Sequence, residues 1–171
     1  MCGISGFCDF SKNFKKEPVL WERILTDMHH ALAHRGSDSF GTYLDTHVGL
    51  SHARLSIRDI AGGSQPIIRQ DGERTCAIVY NGEIYNTDEL LPPLLAAGYT
   101  FSTTSDTEVI LCAYLHYGRD FVSRLNGIFA FAIWDGGTGE LLLYRDRAGT
   151  KPLFYSTPGG TPVSYTHLTL P

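Results

Sequence analysis

The chain begins Met1-Cys2-Gly3, and a cysteine one residue from the terminus has a chemistry that an internal cysteine lacks. Removal of Met1, which the small side chain of Cys2 favours, would leave a thiol and a free α-amine on one residue. The amine titrates near about 7.7–8.0 and a thiol near about 8.5. The amine can therefore act as a built-in base, directly or through a water, as in enzymes with N-terminal threonine nucleophiles. Such a site needs no histidine partner. The alternative is a structural cysteine in the core, where free cysteine is common.

An acyl-transfer nucleophile needs donors aimed at a developing oxyanion. In "VYNGEIYN", Asn81 offers a side-chain amide and Gly82 a backbone N–H that can approach closely. Asn–Gly is also a hairpin-turn dipeptide, which is the competing reading. "SDTE" puts Asp106 in the first turn of a helix, where the helix dipole alone suffices to explain a carboxylate and where a substrate ammonium could be received. Arg54, in the otherwise uncharged "ARLSI", can grip a carboxylate through two parallel hydrogen bonds or pair with a neighbouring acid on the surface. Converging on one pocket, Arg54 and Asp106 would hold the two ends of an α-amino acid.

These residues must be positioned by the elements that carry them. "CGISGFCDF" reads as a first strand. Leu20, Ile24, Met28 and Leu32, with Trp21 and Leu25 beside them, have helical spacing, and Gly36 ends that helix. "VGLSHARLSI" and "CAIVYNGEIYN" read as strands, the second with a turn or strand end at Asn81–Gly82. Asn86 and Glu89 announce a helix that Pro92 and Pro93 should kink, or delay until about Pro92. Ser105 and Glu108 form an S-x-x-E capping box before Val109, Leu111, Cys112 and Leu115, the expected buried stripe. "GIFAFAIWD" is apolar on both alternating faces, which predicts a strand covered on both sides, with "ELLLYRD" following the turn "GGTG". Strands against strands with helices outside give a layered α+β domain.

Length and composition narrow the classes further. A chain of 171 residues fits one domain of ordinary size. A net charge of −4 without a basic stripe argues against nucleic-acid binding. No apolar run is long enough for a membrane span, and the N-terminus carries no secretory signal. Cys2, Cys8, Cys76 and Cys112 show no C-x-x-C spacing, which suits a reducing, cytoplasmic setting. The seven histidines include no H-E-x-x-H, so a metal site is not expected.

"CGISGF", "HRGSDSFG", "RLSI", "GGSQPI", "NGEIYN", "SDTEVIL", "LNGIFAFAIWD" and "RDRAGTKPLFY" occur in the order and approximate spacing of class II glutamine amidotransferases. The resemblance is nearest to the glutaminase domain of glutamine-hydrolysing asparagine synthetases and runs over residues 1–163. It implies a four-layer αββα sandwich of the N-terminal-nucleophile hydrolase type. It further implies that Cys2 attacks the side-chain amide of L-glutamine, with its α-amine as base and Asn81 and Gly82 as the oxyanion hole. Arg54 would hold the substrate carboxylate, Glu83 and Asp106 its amino group, and the backbone of Leu55, Ser56 and Ile57 the rest of the pocket. A γ-glutamyl thioester would form and be hydrolysed. The ammonia would pass to a synthetase domain that uses ATP and Mg²⁺ on aspartate, so no cofactor is expected in this chain. The relatives that aminate sugar phosphates match "RLSI", "NGEIYN" and "FAFAIWD" less well. A catalytically silent regulatory module of the same fold is the other alternative, against which the presence of every candidate residue argues.

Three features depart from the family pattern. Ser37 stands in "HRGSD" where proline is usual, and Pro92 and Pro93 interrupt a usually continuous helix. The synthetase domain is absent, and residues 164–171 read as an atypical tail, a fusion or assembly scar.

Overall fold

The stretch that is apolar on both faces forms β6 (Gly127–Asp135) at the centre of the molecule. Phe129, Phe131 and Ile133 face one apolar layer, and Ala132 and Trp134 face another. A strand buried on both sides requires a second sheet on one face and helices on the other. The computed structural model describes residues 2–55, 63–157 and, by backbone, 163–165.

Two sheets provide the inner layers. One has the order β2 (Ser39–Leu44), β3 (Val48–Arg54), β1 (Gly3–Cys8), β9 (Val163–Tyr165) and β8 (Phe154–Ser156). The other runs β4 (Ile67–Asp71), β5 (Arg74–Ile84), β6 and β7 (Glu140–Arg145). Ile4, Cys8, Val48 and Leu50 of the first meet Ala77, Val79, Ala132 and Trp134 of the second in the inter-sheet layer. All paired strands are antiparallel.

Helices form the outer layers. Helix α1 (Pro18–Leu32) covers β1–β3, with Leu25 fully buried among Phe7 and Phe14. Helix α3 (Asp106–Tyr117) lies on β4 and β5, and α2 (Thr87–Ala96) packs against α3. The result is the four-layer αββα sandwich expected from the sequence. No described helix is long and apolar enough to cross a membrane.

Several local expectations are corrected. Asn81–Gly82 is neither a turn nor a strand end: β5 runs on to Ile84, with Asn81 opposite Ala130 and Gly82 opposite Phe129. A hairpin cannot form there because β6 is already the partner. Helix α2 begins at Thr87, directly after Asn86, and contains both prolines. The carbonyls left without donors belong to Asp88 and Glu89, which are exposed, so water can satisfy them. Asn86 does not cap the helix by its side chain. It takes the Asn126 N–H and gives its amide to the Arg124 carbonyl, stitching α2 to the approach to β6.

Ser105 does cap α3, accepting from the Thr107 N–H at 3.2 Å, but the box is not reciprocal. The Glu108 carboxylate turns to the N–H and hydroxyl groups of Ser102 and Thr103 and to Arg69. Helix α3 is buried all round from Thr107 to Tyr114 rather than along one stripe, because α2 and the following 3-10 turn cover the face away from the sheet. Gly36 ends the first helical segment without a left-handed cap. A Cβ there would lie 2.5 Å from the Ala53 carbonyl oxygen, so glycine is needed for "HRG" to lie against β3.

Candidate active site

The register of the two sheets brings the candidate residues to one end of the inter-sheet layer. The start of β1 pairs with the end of β3, through Gly3 opposite Ala53, which sets Cys2 beside Arg54. The end of β5 pairs with the start of β6, through Glu83 opposite Ile128. Side chains alternate along a strand. Cys2 therefore shares a face with Ile4, Arg54 with Leu50 and His52, and Asn81 with Ala77 and Val79. All these faces look into the space between the sheets.

A cavity of about 170 Å³ opens there. Cys2, Arg54 and Leu55 line it from the first sheet, Asn81, Gly82 and Glu83 from the second, and Asp106 from the start of α3. Among the described residues the structure thus brings together every site candidate. Ser56 and Ile57 lie outside the described residues.

Cys2 is half-buried, and its sulfur is held by Leu55, whose N–H points at it across 3.4 Å while the thiol faces the Leu55 carbonyl at 3.6 Å. It is neither entombed nor remote from the Asn81–Gly82 donors, which line the same cavity. Arg54 is 6% exposed, so the surface-arginine reading does not hold.

The Asn81 Nδ2 is fully buried and has no hydrogen-bond partner among the described residues. Leaving such a donor unsatisfied costs about 1–3 kcal/mol, and an orphan of this kind calls for an explanation. Gly82 is required by packing. A Cβ would sit 2.2 Å from the Ile128 carbonyl oxygen and 2.8 Å from the Tyr80 ring.

The cavity carries both signs of charge. Arg54 and Lys151 oppose Glu83 and Asp106, an arrangement that suits a zwitterion. Asp106 Oδ2 accepts from the Tyr80 hydroxyl at 2.8 Å and from the Ile84 N–H at 3.1 Å, which fixes the carboxylate against β5. Asp146 orders the loop that carries Lys151, accepting from the N–H groups of Phe129, Thr150 and Lys151. Burial opposes ionisation of Asp146, but those three donors outweigh it and hold the carboxyl below its usual range.

Sequence reasoning did not assign several of the lining residues to a site, among them the polar side chains of His52, Gln65, Tyr80 and Lys151. Two lay within matched motifs, Gln65 in "GGSQPI" and Lys151 in "RDRAGTKPLFY". His52 sits two residues before Arg54, and strand alternation alone could have placed it on the same face. It is 1% exposed, and among the described residues neither ring nitrogen has a partner in hydrogen-bonding geometry. Burial pushes its pKa down to about 4, and the nearby Tyr80 backbone opposes that only in part. The imidazole is therefore neutral at pH 7. Among the described residues no group of histidine, cysteine and carboxylate side chains is arranged to hold a metal ion.

A cysteine one residue from the start of the chain, beside an asparagine amide and charges of both signs, in an αββα sandwich, defines a class. Residues 1–166 match the family model of the glutamine amidotransferase domain, and the chain belongs to that family. It is similar to the asparagine synthetase (glutamine-hydrolyzing) 3 of Bacillus subtilis, with 44% identity over 161 residues, 94% of this chain and 26% of that protein. Asparagine synthetase (glutamine-hydrolyzing) 1 of the same organism is 45% identical over 157 residues, 92% of this chain and 24% of its own. The chain thus spans about a quarter of the length of these curated relatives.

Among solved structures, the glutamine phosphoribosylpyrophosphate amidotransferase of B. subtilis, complexed with ADP and GMP, superimposes with a TM-score of 0.76 at 21% identity. The alignment covers 96% of this chain and 42% of that one, so the two share a fold over that length.

Proposed function

We propose that this domain hydrolyses L-glutamine to glutamate and ammonia through a thioester on Cys2. Once Met1 is removed, the Cys2 α-amine takes the thiol proton and the sulfur attacks the carboxamide carbon. The carbonyl oxygen becomes an oxyanion, received by Asn81 Nδ2 and the Gly82 N–H. Collapse breaks the C–N bond, and the proton held by the amine goes to the departing nitrogen, which leaves as ammonia. Water then attacks the γ-glutamyl thioester with the amine again as base. The C–S bond breaks, glutamate leaves and the thiol is restored.

Arg54 pairs with the substrate α-carboxylate, and Glu83 and Asp106 take the α-ammonium. Leu55, which lines the same cavity, contributes to the pocket. None of these steps calls on a metal or nucleotide. ATP and Mg²⁺ belong, in this reading, to a synthetase domain that accepts the ammonia and amidates aspartate. The identities of 44% and 45% to asparagine synthetases favour that acceptor over a sugar phosphate. All four cysteines are free, in keeping with a cytoplasmic setting.

The observation that carries the proposal is the convergence of Cys2, Arg54, Asn81, Glu83 and Asp106 on one cavity, with the Asn81 Nδ2 buried and without a partner among the described residues. A buried amide donor aimed into the cavity is placed to receive a charge that develops there. The test is ammonia release from glutamine by the purified chain, with its N-terminus verified by mass spectrometry. The proposal expects release that Cys2→Ala abolishes. Undiminished release by Cys2→Ala would overturn it.

A further inference from the structure

Gln65 takes no part in the chemistry above, yet it ties together two elements that the chemistry needs. The β4–β5 ladder pairs Ile67 with Ile78, and the same register would set Gln65 opposite Tyr80. The next residue, Pro66, has no N–H with which to extend a ladder. The Gln65 side chain takes over: its Oε1 accepts from the Tyr80 N–H at 2.7 Å. That N–H can only donate, so the orientation of the side-chain amide is fixed. Its Nε2 accordingly faces α3 and donates to Thr107 Oγ1 at 3.2 Å.

The Tyr80 hydroxyl donates to Asp106 Oδ2 at 2.8 Å, and Asp106 is the chain neighbour of Thr107. Gln65, Tyr80, Asp106 and Thr107 therefore form a closed ring. Thr107 is 1% exposed, so water cannot readily replace the Gln65 bond. The Gln65 backbone is itself wedged. A Cβ at Gly41 of β2 would lie 2.2 Å from the Gln65 carbonyl oxygen. One residue thus spans the edge of the first sheet, strand β5 and the N-terminus of α3.

We propose that Gln65 is a positioning residue that sets the distance between the amino-group subsite on Asp106 and the oxyanion donors Asn81 and Gly82. This rests on the glutaminase reading. Asp106 is carried by α3 and the donors by β5, and Gln65 is bonded to both elements. Glutamine must reach both subsites at once, so a loosened ring weakens binding of anything with an α-amino end. The intrinsic reactivity of Cys2 stays the same, because its sulfur is held by Leu55.

Gln65→Met keeps length and removes both hydrogen bonds. The readouts are kcat and KM for glutamine, and the rates at which Cys2 is alkylated by a diazoketone analogue of glutamine and by iodoacetamide. The expected result is a rise of about tenfold in KM and an equal slowing by the diazoketone, as small misplacements of a bound substrate produce. Iodoacetamide, which has no amino-acid end, should react at an unchanged rate. Thr107→Val should reproduce the effect and Thr107→Ser, which keeps the oxygen, should reverse it, so the test survives if Gln65→Met does not fold.

Unchanged KM in Gln65→Met and Thr107→Val would overturn the inference, as would iodoacetamide labelling altered in step with the diazoketone. A wild-type chain that neither hydrolyses glutamine nor reacts with the diazoketone would overturn the glutaminase reading, and the inference with it. An active wild type with silent variants would overturn the inference alone.

Discussion

The Leu55 amide donates to the Cys2 sulfur across 3.4 Å, so the candidate nucleophile is held by the neighbour of the candidate carboxylate-binding residue Arg54. One strand end thereby sets both the attacking atom and the substrate's anchor. Proximity of this kind lowers a barrier by fixing geometry before reaction.

Arg54→Ala should raise the KM for glutamine by about 10–100-fold, the loss of a charge-assisted pair of about 1.5–3 kcal/mol. Arg54→Lys should restore little, because an ammonium cannot reproduce the planar two-bond fork. Steady-state kinetics decides; an unchanged KM in both variants means that the α-carboxylate sits elsewhere.

Asn81→Leu separates stability from activity. It removes a buried donor that has no partner among the described residues, so urea titration should show stability unchanged or raised by about 1 kcal/mol. It also removes an oxyanion donor, so kcat should fall by about 10²–10³ with little change in KM. Loss of stability without loss of kcat would give Asn81 a scaffolding role instead.

Acid should destabilise the fold in two stages. His52 has a folded pKa of about 4 against 6.5 when free, so below pH 6.5 the unfolded chain binds a proton that the folded one refuses. Stability falls from pH 6.5 to 4 by on the order of 2–3 kcal/mol from this group. Asp45 follows. Burial opposes its ionisation, but bonds from Lys15, the Thr46 N–H and the Trp134 indole outweigh that and hold it at about 2 against 3.8. Its contribution is present above pH 3.8 and drains away towards pH 2. Denaturation curves against pH should lose the first stage in His52→Gln and the second in Asp45→Asn.

Much of this was legible in the sequence because the residues concerned answer to local rules. "GIFAFAIWD" alternates two apolar faces, and only a central strand uses both. Cys2 announced itself by position, and Asn81, Gly82, Arg54 and Asp106 by chemical type. What was not legible depended on partners distant in sequence. Asn81–Gly82 reads as a turn until β6 is known to lie beside it. Glu108 reads as half of a capping box until Ser102 and Thr103 fold back to take its carboxylate. Strands β2 and β4 have no buried residue and so show no apolar face that would announce them. Gln65 lies in a matched motif and His52 two residues from Arg54, but neither local sequence shows what the side chain touches. Their roles come from a broken ladder and from strand register.

Gly82→Ala should impair folding and activity together, since the added methyl has nowhere to go while β5 and β6 stay paired. Amide exchange along 81–84 and 127–130 should report the opened ladder; intact protection would mean that β6 can shift without cost.

The central claim is that a processed N-terminal Cys2 is the reacting group. Cys8, Cys76 and Cys112 are buried, and burial pushes their thiols up to about 11, 12 and 11, so they stay protonated at neutral pH. The decisive measurement is peptide mass spectrometry of the active protein after treatment with the diazoketone glutamine analogue. The account expects one adduct per chain, on an N-terminal peptide that begins at Cys2. An adduct on any other cysteine, or an active chain that retains Met1, would contradict it.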